Sequence, residues 1–105
     1  MRRGEVWWAE LPQPAGRRPV LLLSRDAAYS VRTSVTVGMI TRTIRDIPTE
    51  VLLGQDDGMP AECVVNLDDI LTIPKSRLTG QITTLSSEKL TAVAKAILFA
   101  LDVRT

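Results

Sequence analysis

Six short runs of apolar and β-branched residues follow one another within the first 83 residues, and turn-forming residues separate them. In residues 4–10 apolar and polar side chains alternate, which is typical of a strand with one buried face. The other runs occupy residues 19–24, 35–41, 49–53, 62–67 and 78–83, and residues 68–73 continue the fifth irregularly. Short strands at such close spacing predict a mainly β protein, folded as a small barrel or a curled sheet.

The second run, residues 19–24, is apolar at nearly every position, as in a central strand that is covered on both faces. Pro19 is expected at its first residue, where the missing N–H is tolerated. Residues 25–34 are more polar, and we expect them to form a flexible connection with one helical turn around residues 27–29.

A single longer helix is predicted near the end of the chain. Ser86 is a good N-cap residue, and Leu85 before it is placed to pack against Leu90. Apolar residues then recur at helical spacing, at Leu90, Val93, Ala94, Ile97, Leu98 and Leu101. We expect this face to pack on the sheet, so that residues 1–105 form one domain.

The chain has no histidine and one cysteine, Cys63. Without histidine there is no imidazole base, no His-ligated metal and no Ser-His or Cys-His nucleophile pair. A lone cysteine excludes an intrachain disulfide and fits a reducing compartment. No apolar run approaches the ~20 residues that span a bilayer. We therefore expect a cytoplasmic protein with no membrane segment and no His-ligated metal, and we expect no cofactor.

Charge is distributed unevenly, although the net charge is only +1. Residues 1–47 carry eight arginines and four acids, whereas residues 48–105 carry five basic and eight acidic side chains. Arginine binds phosphate in a bidentate way, so an anion site in the first part of the chain is one interpretation. Scattered arginines that only solvate strands and loops are the alternative, and charge alone favours it.

Four segments occur in a characteristic order: RGEVWWAEL at residues 3–11, RRPVLLLS at 17–24, PTEVLLG at 48–54, and CVVNLDDI at 63–70 followed by KSRL at 75–78. Together they resemble the MazF/PemK toxins of toxin–antitoxin modules over nearly the whole chain. The resemblance implies an SH3-like barrel of the MazF/PemK/CcdB type with a C-terminal helix, assembled as a homodimer. It also implies a metal-independent, sequence-selective endoribonuclease toxin, which cleaves single-stranded RNA and is neutralised by a MazE-like antitoxin.

The residue types fit a reaction in which RNA supplies its own nucleophile. The 2′-OH attacks the adjacent phosphorus, leaving a 2′,3′-cyclic phosphate and a 5′-OH, and the protein positions and neutralises the charge that develops. By the resemblance, Arg18 and Thr41 are the catalytic pair. The alternatives are an ordinary arginine that pairs with Asp68 or Glu5, and a threonine chosen only for its β propensity.

Further site residues follow from the same resemblance. Asp68 matches an acidic position near the RNA groove, where it would orient Arg18 or accept the 2′-OH proton. The alternative is that Asp68 only caps a turn. The candidate RNA contacts are Arg17, Arg25, Arg42, Arg45, Lys75 and Arg77, and exposed, solvated side chains are the alternative for each.

Two tryptophans and the cysteine complete the candidates. Trp7 and Trp8 could stack on bases or on antitoxin side chains, and we expect Trp8 to face inward as part of the core. Cys63 lies in an apolar run and is expected to be a small buried side chain rather than a nucleophile, because no base can be named for it.

The sequence departs from the family pattern in two places. The loop before the Arg-Arg-Pro motif is shortened to residues 12–16 and lacks the acid that some relatives carry there. Leu71 stands where many members have an arginine, and Pro74 precedes Lys75, so RNA recognition along this edge is expected to differ.

Two other functions remain open on the sequence. A toxin that acts on DNA gyrase, as CcdB-like proteins of this fold do, would use the end of the C-terminal helix, and residues 101–105 lack the aromatic ending expected of that group. A plain SH3-like binding module would give Arg18 and Thr41 no reason to converge.

Overall fold

The computed structural model describes residues 1–104, and Thr105 lies outside the described residues. The chain folds into six strands with a short and a long helix. The strands are β1 (Glu5–Glu10), β2 (Arg17–Leu22), β3 (Ser34–Thr41), β4 (Glu50–Leu53), β5 (Cys63–Pro74) and β6 (Leu78–Thr84), and the helices are α1 (Ala28–Val31) and α2 (Ser87–Ala100). Single 3₁₀ turns occupy Gln55–Asp57 and Lys75–Arg77.

All six strands belong to one antiparallel sheet in the order β4-β5-β3-β2-β1-β6. The sheet curls into a half-barrel, which confirms the mainly β class and the C-terminal helix expected from the sequence. Each predicted strand is present, with bounds that differ by at most two residues except at the end of β5.

Both faces of the sheet are covered by apolar side chains. One face, with Val6 and Val65, packs against Val93 and Ala96 of α2. The other holds a smaller cluster around Ala9, Val20, Leu22, Tyr29, Val35 and Val37. Burial of each such aliphatic side chain contributes roughly 1.5–3 kcal/mol, and these two clusters therefore stabilise the curl of the sheet.

Helix α2 begins as predicted, because the Ser86 hydroxyl accepts a hydrogen bond from the Lys89 N–H at 3.2 Å. Its buried face is confirmed in part: Leu90, Val93 and Ile97 pack on the main core cluster as predicted. Ala96 is buried as well, whereas Leu101 is 60% exposed. Gly4 has a φ of +96°, which favours glycine. The missing Cβ also leaves room for the helix, because a Cβ there would lie 2.7 Å from Leu90 Cδ1. Neither helix in residues 1–104 has the length and apolar character that crossing a membrane requires.

Strand β2 starts at Arg17, so Pro19 is its third residue and the prediction of a first-residue proline is wrong. The ladder to β3 begins only at Val20, one residue later, and the missing N–H of Pro19 falls outside that ladder. The helical turn of the following connection is confirmed, although it runs from Ala28 to Val31.

Strand β5 is continuous over its 12 residues, and the irregularity predicted for residues 68–73 is a bulge. Gly38 pairs with Ile70 and the next residue, Met39, pairs with Asn66, so residues 67–69 have no partner on β3. The Asn66 side chain supports this bulge, since its Oδ1 accepts the N–H of Asp68 at 2.9 Å.

Candidate active site

Arg18 is held at the start of β2 by the loop that precedes it. Gly16 adopts the left-handed conformation, with φ +65°, and its carbonyl accepts the N–H of Leu11 at 2.9 Å. The Arg18 Nε then donates to the carbonyl oxygen of Ala15 at 3.0 Å. Within residues 1–104 Arg18 forms no ion pair, so the predicted alternative of a pair with Asp68 or Glu5 is wrong. Its two terminal amino groups keep their donors for a ligand.

Thr41 is the last residue of β3, where the chain leaves the sheet. Its Oγ1 accepts the backbone N–H of Thr43 at 3.2 Å. Because this bond uses a lone pair and not the hydroxyl proton, Thr41 can still donate a hydrogen bond. A guanidinium and a hydroxyl donor are the two groups that a phosphate with developing charge requires.

Arg18 and Thr41 line the same two cavities, of about 530 Å³ and about 430 Å³. Ala15 and Thr43 also border both. The wall between the cavities is therefore built from the end of β3 and the start of β2, and it carries the predicted catalytic pair. An anion bound on this wall would have one cavity on each side.

The first cavity is mainly apolar, with Trp8, Pro19, Ile40, Met59, Pro60 and Cys63 among its lining residues. Arg17 and Arg42 stand at the same cavity, and the Arg17 guanidinium lies 4.5 Å from the centroid of the Trp8 ring. This cation–π contact holds both side chains at the edge of the cavity. Arg17 also pairs with Glu10 at 3.6 Å, in an exposed position where such a pair contributes little.

The prediction that Trp8 forms part of the core is wrong. Both tryptophans are half-buried: Trp7 packs against the second core cluster and its Nε1 donates to Glu5, whereas Trp8 faces the first cavity. Trp8 does share a sheet face with Val6, as the alternation predicted. No residue of α2 lines this cavity, so the helix that covers Val6 leaves Trp8 uncovered.

The second cavity is more polar. Arg45, Asn66 and Asp69 line it together with Met39 and Leu71. Asn66 is 7% exposed, and its Nδ2 donates to Asp69 Oδ2 at 3.2 Å. Arg45 comes from the β3–β4 loop, where Glu50 Oε1 accepts the backbone N–H groups of Arg45 and Asp46 at 2.9 and 3.0 Å.

Several predicted site residues lie away from both cavities. Asp68 accepts the Thr49 hydroxyl at 2.7 Å and does not border either cavity; its neighbour Asp69 does. The Lys75 Nζ donates to the Tyr29 carbonyl at 2.7 Å and so ties the 3₁₀ turn after β5 to α1. Arg25 and Arg77 are exposed and outside both cavities. Of the six candidate RNA contacts, the structure brings Arg17, Arg42 and Arg45 to the site.

Cys63 behaves as a buried apolar side chain, as expected. It is 4% exposed and belongs to the main core cluster. Burial, and secondarily the charge of Asp57, raises the pKa of its thiol. A neutral thiol is a poor nucleophile, so Cys63 shapes the cavity wall without taking part in chemistry.

One known protein family matches nearly the whole chain. Residues 2–101 match the family described as PemK-like, MazF-like toxin of type II toxin-antitoxin system. The chain belongs to this toxin family. The resemblance found in the sequence is thereby confirmed over nearly its whole length.

Relatives of this PemK/MazF-like chain resemble it in sequence and in structure. It is 42% identical over 91 residues to the probable endoribonuclease MazF2 of Mycobacterium tuberculosis, covering 86% of this chain and 87% of the relative. The solved structure of the Mycobacterium tuberculosis toxin MazF-mt6 superposes with a TM-score of 0.89 and 36% identity, covering 96% and 99% of the two chains. The structure of a mycobacterial endoribonuclease in complex with its cognate antitoxin superposes with a TM-score of 0.90 and 28% identity. The match covers 100% of this chain and 98% of that structure's chain.

Sequence reasoning missed Thr43, Asn66 and Asp69 in this PemK/MazF-like chain. Thr43 lies two residues after Thr41, and the tight exit of β3 brings both to the same wall. Asn66 in an otherwise apolar run was a usable signal, because a buried amide needs partners. Nothing local distinguishes Asp69 from Asp68, since the bulge decides which of the two meets the cavity.

Proposed function

We propose that this chain is a metal-independent, sequence-selective endoribonuclease toxin that cleaves single-stranded RNA. The observation that carries the proposal is the shared wall: Arg18 and Thr41 border both cavities, and each keeps hydrogen-bond donors for a ligand. Relatives named endoribonucleases, at 42% and 38% identity, support the choice of RNA as the substrate.

The scissile phosphate would bind on this wall, with its flanking nucleotides in the two cavities. The ribose 2′-oxygen attacks phosphorus and gives up its proton to solvent water. The bond from phosphorus to the 5′-oxygen breaks, and this oxygen takes a proton from water, giving a 2′,3′-cyclic phosphate and a 5′-OH. Arg18 donates to the nonbridging oxygens, where negative charge grows, and Thr41 donates a further hydrogen bond to the same phosphate. A fixed donor of this kind contributes about 3–4 kcal/mol of transition-state stabilisation.

The chain's lack of histidine supports a mechanism of positioning and charge neutralisation. The substrate carries its own nucleophile, so the protein need not activate a side chain or a metal-bound water. Arg17 and Arg42 at the first cavity and Arg45 at the second add positive charge for the neighbouring phosphates. Such contacts would hold the RNA register without selecting a sequence.

We also propose a homodimer that acts in the cytoplasm, where its RNA substrate is found. Leu52 and Phe99 are exposed apolar side chains on one shared groove, and a clustered apolar surface of this kind is typical of protein contacts. Light scattering on the purified protein should give twice the chain mass of 11.5 kDa. A mass of one chain at working concentration would contradict this part of the proposal.

A cognate antitoxin of the MazE type would neutralise the enzyme. The solved relative in complex with its cognate antitoxin supports this partner. The arginine side chains at the two cavities would attract an acidic antitoxin segment as well as RNA. Such a segment should compete with RNA, and the competition should weaken as salt is raised.

The proposed function is tested by incubating the protein with a long single-stranded RNA in excess EDTA and analysing the new ends. We expect discrete cuts with 5′-OH and cyclic phosphate ends. Arg18→Ala and Thr41→Val should each slow cleavage by about 10²–10³-fold. Arg32→Ala and Thr36→Val are matched controls, because both residues lie outside the cavities.

Intact RNA would overturn the endoribonuclease proposal. Inhibition of DNA supercoiling without loss of RNA would then favour the gyrase-directed alternative, and neither effect would favour a binding module. Cleavage that disappears in EDTA would contradict the metal-independent mechanism while leaving the substrate class in place.

A further inference from the structure

The second cavity has a polar wall whose hydrogen bonds have a fixed direction. The Asp68 N–H donates to Asn66 Oδ1, and this donor orients the amide. The Asn66 Nδ2 must therefore face Asp69, where it donates to Oδ2 at 3.2 Å. Asn66 is 7% exposed, so this arrangement is a built part of the bulge and not a surface contact.

Asp69 keeps acceptor capacity that the fold does not use. Its Oδ2 receives the Asn66 amide, and no hydrogen bond from residues 1–104 reaches Oδ1. The side chain is exposed and borders the cavity that Arg18 and Thr41 share. An ionised carboxylate only accepts hydrogen bonds, so a group that uses this free oxygen must be a donor.

This cavity has the size of a small-ligand site and adjoins the wall proposed to bind the scissile phosphate. We infer that it holds the base of one nucleotide next to the cleaved bond and that Asp69 is a specificity-determining residue. The inference rests on the proposed function. Asp69 favours a base with an exocyclic amino group (adenine, cytosine or guanine) over uracil.

The selectivity follows from the edges of the bases. An exocyclic amino group donates directly to the free carboxylate oxygen. Uracil has one edge donor, N3–H, which lies between two carbonyl oxygens, and their partial negative charge repels the carboxylate. The loss of a good base contact costs about 1–3 kcal/mol, or roughly five- to 150-fold in discrimination.

The first cavity should not share this selectivity. Trp8, Pro19 and Met59 offer aromatic and apolar surface, on which any base can stack. Discrimination against uracil is therefore expected at only one of the two nucleotides that flank the cut.

A pool of single-stranded RNAs randomised around the cleavage site tests this inference. Sequencing of the products of the wild-type protein should show uracil disfavoured at least about fivefold at one flanking nucleotide. In Asp69→Asn the new amino group can donate to a uracil carbonyl, so the bias should shrink to within about threefold while preferences elsewhere persist. Asp56→Asn removes the same charge from an exposed residue outside both cavities and should keep the wild-type profile.

A second measurement uses only the wild-type protein and does not depend on how a variant folds. In a good oligonucleotide substrate, the preferred base is replaced by its analogue without the amino group: purine for adenine, hypoxanthine for guanine or 2-pyrimidinone for cytosine. Cleavage should slow by about tenfold.

Two outcomes separate this inference from the proposed function. If the wild-type protein cleaves RNA but accepts uracil equally at both flanking nucleotides, or if Asp69→Asn keeps the wild-type profile, the role of Asp69 is overturned and the endoribonuclease stands. If no RNA in the pool is cleaved, both are overturned.

Discussion

The Nε of Arg18 donates to the carbonyl oxygen of Ala15 at 3.0 Å, which fixes the guanidinium at the wall between the two cavities. The Nε–H thus binds the protein backbone, and the two terminal amino groups remain available to bind the ligand. This division of donors needs a planar fork of several N–H groups, which only arginine provides. The chemistry proposed for this site depends on it.

Arg18→Lys is predicted to be nearly as damaging as removal of the side chain. Lysine keeps the positive charge, but its single ammonium cannot bind Ala15 and present two aligned amino groups to a phosphate. Single-turnover cleavage should slow by about 10²-fold or more, with little change in the unfolding midpoint. Arg32→Lys is the control. A rate within threefold of wild type would mean that charge alone suffices.

Thr41 is predicted to act through its hydroxyl and not through its β propensity. Thr41→Ser keeps both the acceptor for the Thr43 N–H and the donor proton, so cleavage should stay within a few fold of wild type. Thr41→Val keeps the shape but loses both, and cleavage should fall about 10²-fold. Equal rates for the serine and valine variants would argue against a hydroxyl contact with phosphate.

Glu50 is predicted to position the β3–β4 loop, since its Oε1 accepts the N–H groups of Arg45 and Asp46. Glu50→Ala should lower the free energy of unfolding by about 2 kcal/mol and speed amide exchange at both residues. Because Arg45 would lose its place at the second cavity, KM should rise with kcat almost unchanged. Glu50→Gln keeps one acceptor oxygen and should have smaller effects. Unchanged amide exchange in the alanine variant would contradict this role.

Tyr29 gives the fold a predictable response to alkaline pH. Burial, and secondarily the charge of Asp26, raises the pKa of its hydroxyl to about 12 from an ordinary value of 10.0. Between these two values the unfolded chain loses this proton and the folded chain keeps it, so stability should fall as pH rises through this window. Denaturant unfolding across that range measures the slope, and Tyr29→Phe should flatten it. Since the chain has one tyrosine, its ultraviolet titration is direct.

The strands and α2 were predictable because their signals are local. The alternation in β1 and the Ser86 cap each depend on a few neighbouring residues. That Trp8 borders a cavity was not predictable. Apolar side chains cover both faces of the sheet, and only the area that α2 covers decides which of them border a cavity instead.

The candidate site shows the same limit. Arg18 and Thr41 were predicted from motif position, and both border the cavities, whereas the exchange of Asp68 for Asp69 at the cavity depends on a bulge opposite β3. Such a bulge is set by pairing between strands distant in sequence, which no local pattern encodes.

The central claim is that RNA supplies the attacking oxygen while Arg18 and Thr41 stabilise the phosphate. Its most direct test is the cleavage rate of an oligonucleotide that carries one 2′-deoxyribose, placed on the 5′ side of the scissile bond. We predict no cleavage at that bond by the wild-type protein in EDTA, with undiminished binding and normal cleavage of the all-ribose oligonucleotide. Cleavage at the deoxyribose site would contradict the account, since another nucleophile would then be at work.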